Sequence, residues 1–364
     1  MSTPKTMKAV VLTGHGGLDK LEYREDWPTP EPASNEVLIK VAACGLNNTD
    51  VNTRTGWYSK AVSDATTGDA YSTVDEDDPT WGGEPLTFPR IQGADVCGTV
   101  VAAGADANQS LIGKRVITDN WLRDWNDPDN KDKTGFFGSE CNGGYAEYTT
   151  IDARNVGVVN SNLSDAELAT FSCSYTTAEG MLCRAGVKQG DRILITGASG
   201  GVGSALIQLA KRRSAMVIGM ATEHKHNDLK KLGADALLPR NPDNLNEALK
   251  LATDKNTVSV VADVVGGPAF TQLIDCLERG GRYTCSGAIA GPLVDLDLRT
   301  LYLRDLTFTG STVIPVNIFS DLISYIEQGE IKPVLAATYP LKDLAAAQQA
   351  FIDKQHSGNI VVTI

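Results

Sequence analysis

The stretch Ile195-Thr196-Gly197-Ala198-Ser199-Gly200-Gly201-Val202-Gly203 is a glycine-rich turn between an apolar strand pattern and a helical pattern. Glycines let a phosphate approach the backbone, and a helix N-terminus offers unpaired N–H groups and the positive end of the helix dipole. A tight strand-to-helix turn can also use glycines for structural reasons alone. In this strand–turn–helix context, however, the stretch predicts a nucleotide-binding turn at Ser199, Gly200, Gly201 and Val202.

The chain on both sides of this turn alternates short apolar strands with helical patterns from Asp191 to Ser286. Such alternation is typical of βαβ units around a parallel sheet. Strands are predicted at 192–196, 216–220, 258–263 and 282–286, with a helix-compatible run at 268–277. The predicted fold class is therefore α/β, with a doubly wound parallel sheet.

The first third of the chain has a different character, with short β-branched runs separated by Gly, Pro, Asn and Asp, as expected for an irregular barrel-like domain. A final strand is predicted at 359–364, which suggests that the tail returns to this first domain. Two stretches, 57–90 and 119–144, exceed normal loop length and hold four of the five tryptophans. Those rings either pin the loops to the barrel or line a substrate pocket.

Composition excludes several classes of protein. The chain has 364 residues, 42% of them hydrophobic, and a net charge of −12, so we expect a folded protein with room for two domains that binds neither nucleic acid nor membrane surfaces. Its seven cysteines are scattered without a C-x-x-C pair, which favours reduced thiols. With no signal-peptide core or membrane span in the sequence, we predict a cytoplasmic location.

The residues after the second predicted strand bear on the choice of cofactor. An acidic residue there binds the ribose hydroxyls of NAD and repels the 2′-phosphate of NADP. This chain has Thr222 and Lys225, which suit a phosphate, and Glu223, which argues mildly the other way. We predict that Thr222 and Lys225 contact the cofactor and that it is NADPH.

The order of motifs resembles the medium-chain dehydrogenase/reductase superfamily. The motifs are Cys44-Gly45-Leu46-Asn47-Asn48-Thr49-Asp50, Gly93-Ala94-Asp95-Val96-Cys97-Gly98, Gly143-Gly144-Tyr145-Ala146-Glu147-Tyr148, the glycine-rich turn, Leu232-Gly233-Ala234-Asp235 and Gly358-Asn359-Ile360-Val361-Val362. The resemblance implies a GroES-like substrate domain at 1–160, completed by 313–364, and a Rossmann NAD(P)-binding domain at 161–312. It also implies a homodimer joined edge to edge near 306–310.

The zinc positions of that superfamily are mostly lost. Where a zinc alcohol dehydrogenase has Cys, His and Cys, this sequence has Asn47, Ala94 and Cys173. One thiolate does not hold a catalytic zinc, and Asp95 is at most an improvised additional ligand. We therefore expect no metal, and the resemblance narrows to the zinc-independent quinone oxidoreductase-like and enoyl reductase-like branch.

That branch implies hydride transfer from NADPH to an activated C=C bond or a quinone, a reaction that needs no Lewis acid. The run from Asn47 to Tyr58 resembles an enoyl thioester reductase segment that ends in Gly-x-Tyr, so Tyr58 is the candidate proton donor. Equally, Tyr58 could merely anchor the loop that follows it. Asn47, whose amide can donate to an oxyanion or to the nicotinamide ribose, is the second catalytic candidate.

The resemblance implies further cofactor contacts, several of them at the carboxyl ends of strands. They are Thr177, Val265, Gly266, Ser286, Ala288, Ser311 and Asn359. Relatives often carry Lys where this chain has Asn359, so that cation is absent. The alternatives left open are an NADPH-dependent carbonyl reductase or alcohol dehydrogenase, and a non-catalytic NADPH-binding protein; the small-molecule substrate itself is not defined by the sequence.

Overall fold

The computed structural model describes residues 3–66, 74 and 83–364, which form two compact units. Unit 1 comprises Met1–Val62, Asp69–Cys173 and Pro315–Ile364, and unit 2 comprises Ser63–Gly68 and Ser174–Ile314. The boundaries differ from the predicted 160/161 and 312/313, because the helix after residue 160 packs on strands of unit 1. The predicted boundaries also left out residues 63–66, which belong to unit 2.

Over its described residues, unit 1 begins with nine strands and two short α-helices. They are β1 (Thr6–Leu12), β2 (Leu21–Pro28), β3 (Glu36–Gly45), α1 (Asn48–Thr55), β4 (Asp95–Ala103), β5 (Arg115–Thr118), β6 (Trp121–Leu122), β7 (Gly135–Phe136), β8 (Tyr148–Asp152), β9 (Val156–Val158) and α2 (Asp165–Leu168). Strands β3 and β4 pair antiparallel at the centre of its main sheet, and β8 also pairs with β3. The β-rich character predicted from the sequence is confirmed.

Unit 2 is built on a six-stranded sheet whose pairings are all parallel. Helix α3 (Ser172–Arg184) starts at the end of unit 1. The elements that follow it in unit 2 are β10 (Arg192–Ile195), α4 (Gly201–Arg212), β11 (Met216–Ala221), α5 (His226–Lys231), β12 (Ala236–Pro239), α6 (Leu245–Thr253), β13 (Val258–Asp263), α7 (Phe270–Asp275), β14 (Leu277–Cys285), α8 (Leu298–Leu303) and β15 (Thr307–Gly310). The strand order β12-β11-β10-β13-β14-β15 is the doubly wound order of a dinucleotide-binding fold. The predicted α/β class is confirmed.

The tail completes unit 1. It contributes α9 (Asn317–Glu327), β16 (Leu335–Pro340), α10 (Leu344–Ile352) and β17 (Asn359–Thr363). Strand β17 pairs antiparallel with β3 and parallel with β16, which extends the main sheet to the order β16-β17-β3-β4-β5-β9. Side chains of α10, including Leu344 and Phe351, join the buried core of this unit.

Tryptophans pin the second long loop to unit 1. Trp121 is buried and packs edge-on against Phe136 at 5.1 Å between ring centroids. The Trp125 indole donates a 3.2 Å hydrogen bond to Asn155 Oδ1 and lies under the Arg154 guanidinium. These contacts favour the anchoring interpretation for this loop, whereas Trp81 lies outside the described residues. Across the described ranges, every helix is too short or too polar to cross a bilayer.

Candidate functional site

The glycine-rich turn joins β10 to α4 in unit 2, as predicted. Gly197 adopts a positive φ of 55°, and Gly200 is the N-cap of α4. A Cβ at Gly203 would lie 2.2 Å from the Gly197 carbonyl oxygen, so Gly203 permits the close packing of helix and turn. A Cβ at Gly200 would meet no atom closer than 3.5 Å, so the space beside Gly200 is open. Open backbone at a helix N-terminus fits a dinucleotide pyrophosphate.

A buried carboxylate organises the two loops that follow β13 and β14. Asp263 accepts hydrogen bonds from the hydroxyls of Thr196 at 2.5 Å and Tyr283 at 2.7 Å, and from the N–H groups of Val265 at 2.8 Å and Gly266 at 3.2 Å. Four donors on one carboxylate fix the turn in which Gly266 has a positive φ of 61°. Sequence reasoning did not assign this role to Asp263.

The predicted cofactor residues of these two loops lie side by side. The Ala290 N–H donates to the Val265 carbonyl at 2.8 Å, which ties the second loop to the first. A Cβ at Gly266 would lie 3.3 Å from Ala288 Cα, and the Ser286 N–H donates to the Asp263 carbonyl at 3.1 Å. The structure therefore brings Val265, Gly266, Ser286 and Ala288 together at the carboxyl ends of neighbouring strands.

Three further predicted cofactor residues lie on other elements. Ser311 follows β15, is buried, and its Oγ has no hydrogen-bond partner among the residues that the structure describes. Thr177 is on α3, and a Cβ at Gly180 of that helix would lie 3.3 Å from Ser311 Oγ, so α3 borders Ser311. Asn359 is the first residue of β17 in unit 1, where it is buried.

A positively charged group lies at the end of β11. Thr222 caps the short turn that contains Lys225, and Lys225 is buried. Burial lowers the pKa of the Lys225 ammonium, and the nearby Arg240 guanidinium lowers it further. Glu223 is exposed. Arg240, which follows β12, was missed because no local pattern reveals that it approaches Lys225.

In unit 1, the start of α1 carries a buried acid. Asn47 precedes the helix, and its N–H donates to Asp50 Oδ2 at 2.8 Å. The same carboxylate accepts from the Tyr145 hydroxyl at 3.0 Å. Burial raises the pKa of Asp50 to about 7, although these hydrogen bonds oppose the rise.

A second buried acid lies beside Asn47. Asp95 Oδ1 accepts from Asn120 Nδ2 at 2.7 Å and from the Cys173 N–H at 2.9 Å. Burial raises the pKa of Asp95 to about 6, while the neighbouring amides of Asn47 and Asn120 favour its charged form. Within residues 3–66, 74 and 83–364, Asn47 Nδ2 and Asp95 Oδ2 nevertheless make no hydrogen bond of regular geometry, so the Asn47 amide keeps hydrogen-bonding capacity.

Tyr58 joins the same cluster from the turn after α1. Its hydroxyl is hydrogen-bonded by the side chains of Thr49 and Asn52, and burial raises its pKa above the ordinary value. The charges of Cys173 and Asp50 raise it further. The structure thus brings Asn47 and Tyr58 to one polar cluster, here called the α1 cluster: Asn47, Thr49, Asp50, Asn52, Tyr58, Asp95 and Cys173.

The α1 cluster is a poor metal site by its donor chemistry. Zn²⁺ in catalytic sites takes three protein ligands of thiolate, imidazole or carboxylate type. Asn47 and Ala94 supply none of these, and no three His, Cys, Asp or Glu side chains converge at metal-holding geometry among residues 3–66, 74 and 83–364. The donors present do not fit a catalytic zinc.

Two family models match the chain. Residues 33–161 match the alcohol dehydrogenase GroES-like domain, and residues 201–328 match the zinc-binding dehydrogenase model.

Individual proteins match nearly the whole chain. A solved structure from Sinorhizobium meliloti 1021, provisionally called an alcohol dehydrogenase, is 45% identical, with 99% of this chain and 97% of that chain covered and a TM-score of 0.90. Human quinone oxidoreductase is 27% identical over 96% of this chain and 94% of its own. The chloroplastic NADPH-dependent alkenal/one oxidoreductase of Arabidopsis thaliana is 27% identical over 99% of this chain and 80% of its own.

Proposed function

Because the chain belongs to the medium-chain dehydrogenase/reductase superfamily, in its quinone oxidoreductase-like branch, we propose that it reduces an activated C=C bond or a quinone with NADPH and without zinc. The observation that carries this proposal is the α1 cluster, in which the Asn47 amide stands at one of the zinc-ligand positions and the Tyr58 hydroxyl belongs to the same cluster. Relatives named quinone oxidoreductase and NADPH-dependent alkenal/one oxidoreductase support the substrate class.

Each unit has its own part in the proposed reaction. The glycine-rich turn, the Asp263-organised loops and Ser311 of unit 2 hold the dinucleotide, which when bound supplies a hydride to the electron-poor carbon of the substrate. The substrate oxygen then gains negative charge, and a preorganised donor stabilises it most where water is excluded. The Asn47 amide is that donor in our proposal.

Tyr58 completes the reduction by giving a proton to the enolate carbon or to the quinone oxygen. Its raised pKa keeps the hydroxyl protonated at neutral pH, so it is available as an acid. Thr49 and Asn52 hold the hydroxyl and stabilise the phenolate left after transfer. No proton needs to come from a metal-bound water in this scheme.

Removing the hydroxyl in Tyr58→Phe should lower kcat with an enone by about 10²–10³-fold, as is typical for loss of a positioned general acid, and leave the Kd of NADPH within about twofold. Stopped-flow NADPH oxidation and fluorescence titration measure the two quantities. Tyr339→Phe is the matched control, since Tyr339 is a half-buried tyrosine of β16 in the same unit. An unchanged kcat in Tyr58→Phe would mean that Tyr58 is not the proton donor and only anchors the loop that follows it.

Lys225 and Thr222 are proposed to select NADPH by binding the 2′-phosphate. Reversing the charge in Lys225→Glu should weaken NADPH by at least about tenfold and NADH by much less, since only NADPH carries the phosphate. Kd values for both dinucleotides, measured on the wild type and the variant, test this. Equal losses for both would contradict the assignment.

Product analysis with one enone distinguishes the reductase from its rivals. A saturated ketone supports C=C reduction. An allylic alcohol supports the carbonyl reductase alternative, which the name of the 45% identical Sinorhizobium structure favours. Tight NADPH binding without turnover on enones, quinones or aldehydes would favour a non-catalytic nucleotide-binding protein.

A further inference from the structure

The carboxyl ends of β11 and β12 lie side by side at one edge of the unit 2 sheet. The two strands pair in parallel, and the last pair in their register is Ala221 opposite Pro239. The next residue on one side is Thr222, and the next residue on the other side is Arg240. Thr222 and Lys225 are the residues that our proposed function assigns to the 2′-phosphate, so Arg240 adjoins that position from a second βα unit.

Arg240 presents its charge at the surface of unit 2. The chain bends at this residue directly after β12, and Arg240 is exposed. In the part of the chain that the structure describes, its guanidinium makes no ion pair and no hydrogen bond. Two other exposed arginines of the unit are paired, Arg279 with Asp305 and Arg299 with Asp297, each at 2.7 Å. The N–H donors of Arg240 are therefore available to a ligand.

Lys225 approaches Arg240 from the turn after β11. Burial lowers the pKa of the Lys225 ammonium, and the nearby Arg240 guanidinium lowers it further. Two neighbouring cations repel each other, and an anion placed against both relieves that repulsion. Glu223, the acid next to them in sequence, is exposed and forms no ion pair within the described ranges.

The composition of the chain makes this pair of cations unusual. The protein has 45 Asp and Glu residues against 33 Lys and Arg residues, so acids outnumber cations overall. Two cations nevertheless meet at the ends of adjacent parallel strands, which is where nucleotides bind in doubly wound sheets. This placement favours an anionic group of a nucleotide as the ligand.

We propose that Arg240 is a second determinant of NADPH selection, which contacts the 2′-phosphate from the end of β12 while Lys225 contacts it from the turn after β11. A guanidinium offers two parallel N–H donors to two phosphate oxygens, a geometry that the single ammonium of Lys225 does not provide. NADH has a hydroxyl in place of this phosphate, so it gains nothing from Arg240. The inference rests on the proposed use of NADPH and adds a residue to that site.

Isothermal titration calorimetry with adenosine 2′,5′-bisphosphate tests Arg240 without the nicotinamide half, and adenosine 5′-monophosphate is the companion probe that lacks the 2′-phosphate. Arg240→Gln should weaken the bisphosphate at least about tenfold and leave the monophosphate within about twofold. Arg240→Lys should recover part of the loss, because it restores the charge without the paired donors. Kd values for NADPH and NADH should change in the same sense as those of the two probes.

Arg299→Gln is the matched control for the loss of one exposed positive charge. Arg299 lies on α8, before the strand at the opposite end of the sheet order, so this variant should bind both probes as the wild type does. Thermal unfolding of the cofactor-free variants checks that they remain folded, as the exposure of both arginines leads us to expect.

The outcomes separate this inference from the proposed function. A bisphosphate affinity that falls in Lys225→Glu but not in Arg240→Gln overturns the role of Arg240 and leaves the proposed selection by Lys225 standing. Parallel losses of the bisphosphate and the monophosphate overturn it as well, because Arg240 would then hold a part of the nucleotide that both probes share. Equal affinity of the wild type for the two probes overturns both assignments, and none of these measurements depends on turnover of an enone or a quinone.

Discussion

Asp95 and Asp50 carry raised pKa values in unit 1 because burial penalises their charged forms more than their hydrogen bonds favour them. The folded state therefore holds protons that the unfolded chain releases above pH 4. By linkage, the free energy of unfolding falls as pH rises from about 4 towards 6 and 7, the pKa values of these two acids. Both acids thus contribute most stability at acidic pH.

Replacing Asp95 by the uncharged Asn should remove its share of that pH dependence. As pH rises from about 4.5 to about 7.5, the unfolding free energy of Asp95→Asn should increase by about 2 kcal/mol relative to that of the wild type, since one pKa unit corresponds to about 1.4 kcal/mol. Urea denaturation monitored by tryptophan fluorescence measures it, because Trp27, Trp57, Trp121 and Trp125 lie in unit 1.

Asp129→Asn is the matched control, since Asp129 is exposed in the same unit. Its unfolding free energy should follow the wild type at every pH. A difference between Asp95→Asn and the wild type that does not change with pH would mean that Asp95 is charged in the folded protein at acidic pH.

The sequence predicts which site residues lie together where those residues belong to one local motif. Asn47 and Tyr58 belong to one short segment, so the sequence could place them together before the structure did. Tyr145 and Asn120 reach the same acids from distant strands and loops, and Arg240 reaches Lys225 from another βα unit. Such contacts depend on strand order and loop paths, which no local pattern specifies.

At the scale of elements, the turn between β10 and α4 uses its glycines in two ways. Gly203→Ala should lower the free energy of unfolding of unit 2 by about 1–3 kcal/mol, because its Cβ would clash with the Gly197 oxygen and with Ala198 Cα at 2.6 Å. Gly200→Ala should leave stability nearly unchanged, because its Cβ has room in the protein.

Gly200→Ala should nevertheless weaken NADPH binding at least tenfold, since the added methyl group occupies the space proposed for the pyrophosphate. Calorimetric unfolding of the cofactor-free protein and NADPH titration separate the two effects. Gly14→Ala, with no atom near its added methyl, is the control for a harmless glycine substitution. Unchanged NADPH affinity in Gly200→Ala would argue that the turn is purely structural.

The prediction of strands and helices succeeded where the hydrophobic periodicity was strong, and it failed at the ends of elements and for one short strand. Strand β13 has the predicted bounds, whereas β14 begins at Leu277 rather than at 282. The helix-compatible run 268–277 shortens to α7, because its last residue enters β14. Strand β12 was missed because only a few residues separate it from the preceding helix.

At the scale of the whole molecule, motif order identified the two-unit architecture but not the exact division of the chain. Helix α2 and the start of α3 follow the predicted domain boundary in sequence but belong to unit 1. The backbone N–H of Cys173 donates to Asp95 Oδ1, a contact that ties this segment to β4 and forms part of the α1 cluster. Composition and periodicity do not reveal this long-range hydrogen bond.

The proposed homodimer can be tested at the free edge of the unit 2 sheet. Within the described part of the chain, strand β15 pairs on one side only, with β14, and α8 before it exposes Leu298, Tyr302 and Leu303 by 64%, 63% and 56%. An unpaired edge beside exposed apolar side chains favours association with a second copy. Leu298→Asp should shift the protein from dimer to monomer in sedimentation velocity, because it places a charge in the apolar contact while an acid in the first turn still suits the helix.

Leu251→Asp provides the matched control for this experiment. Leu251 is 88% exposed on α6 of the same unit, away from the β15 edge in the sheet order, so the same change of charge should leave the dimer intact. Both variants should keep wild-type thermal unfolding, since neither side chain is buried. A wild type that sediments as a monomer at micromolar concentration, or dissociation caused by Leu251→Asp rather than Leu298→Asp, would place any contact between copies elsewhere on the molecule.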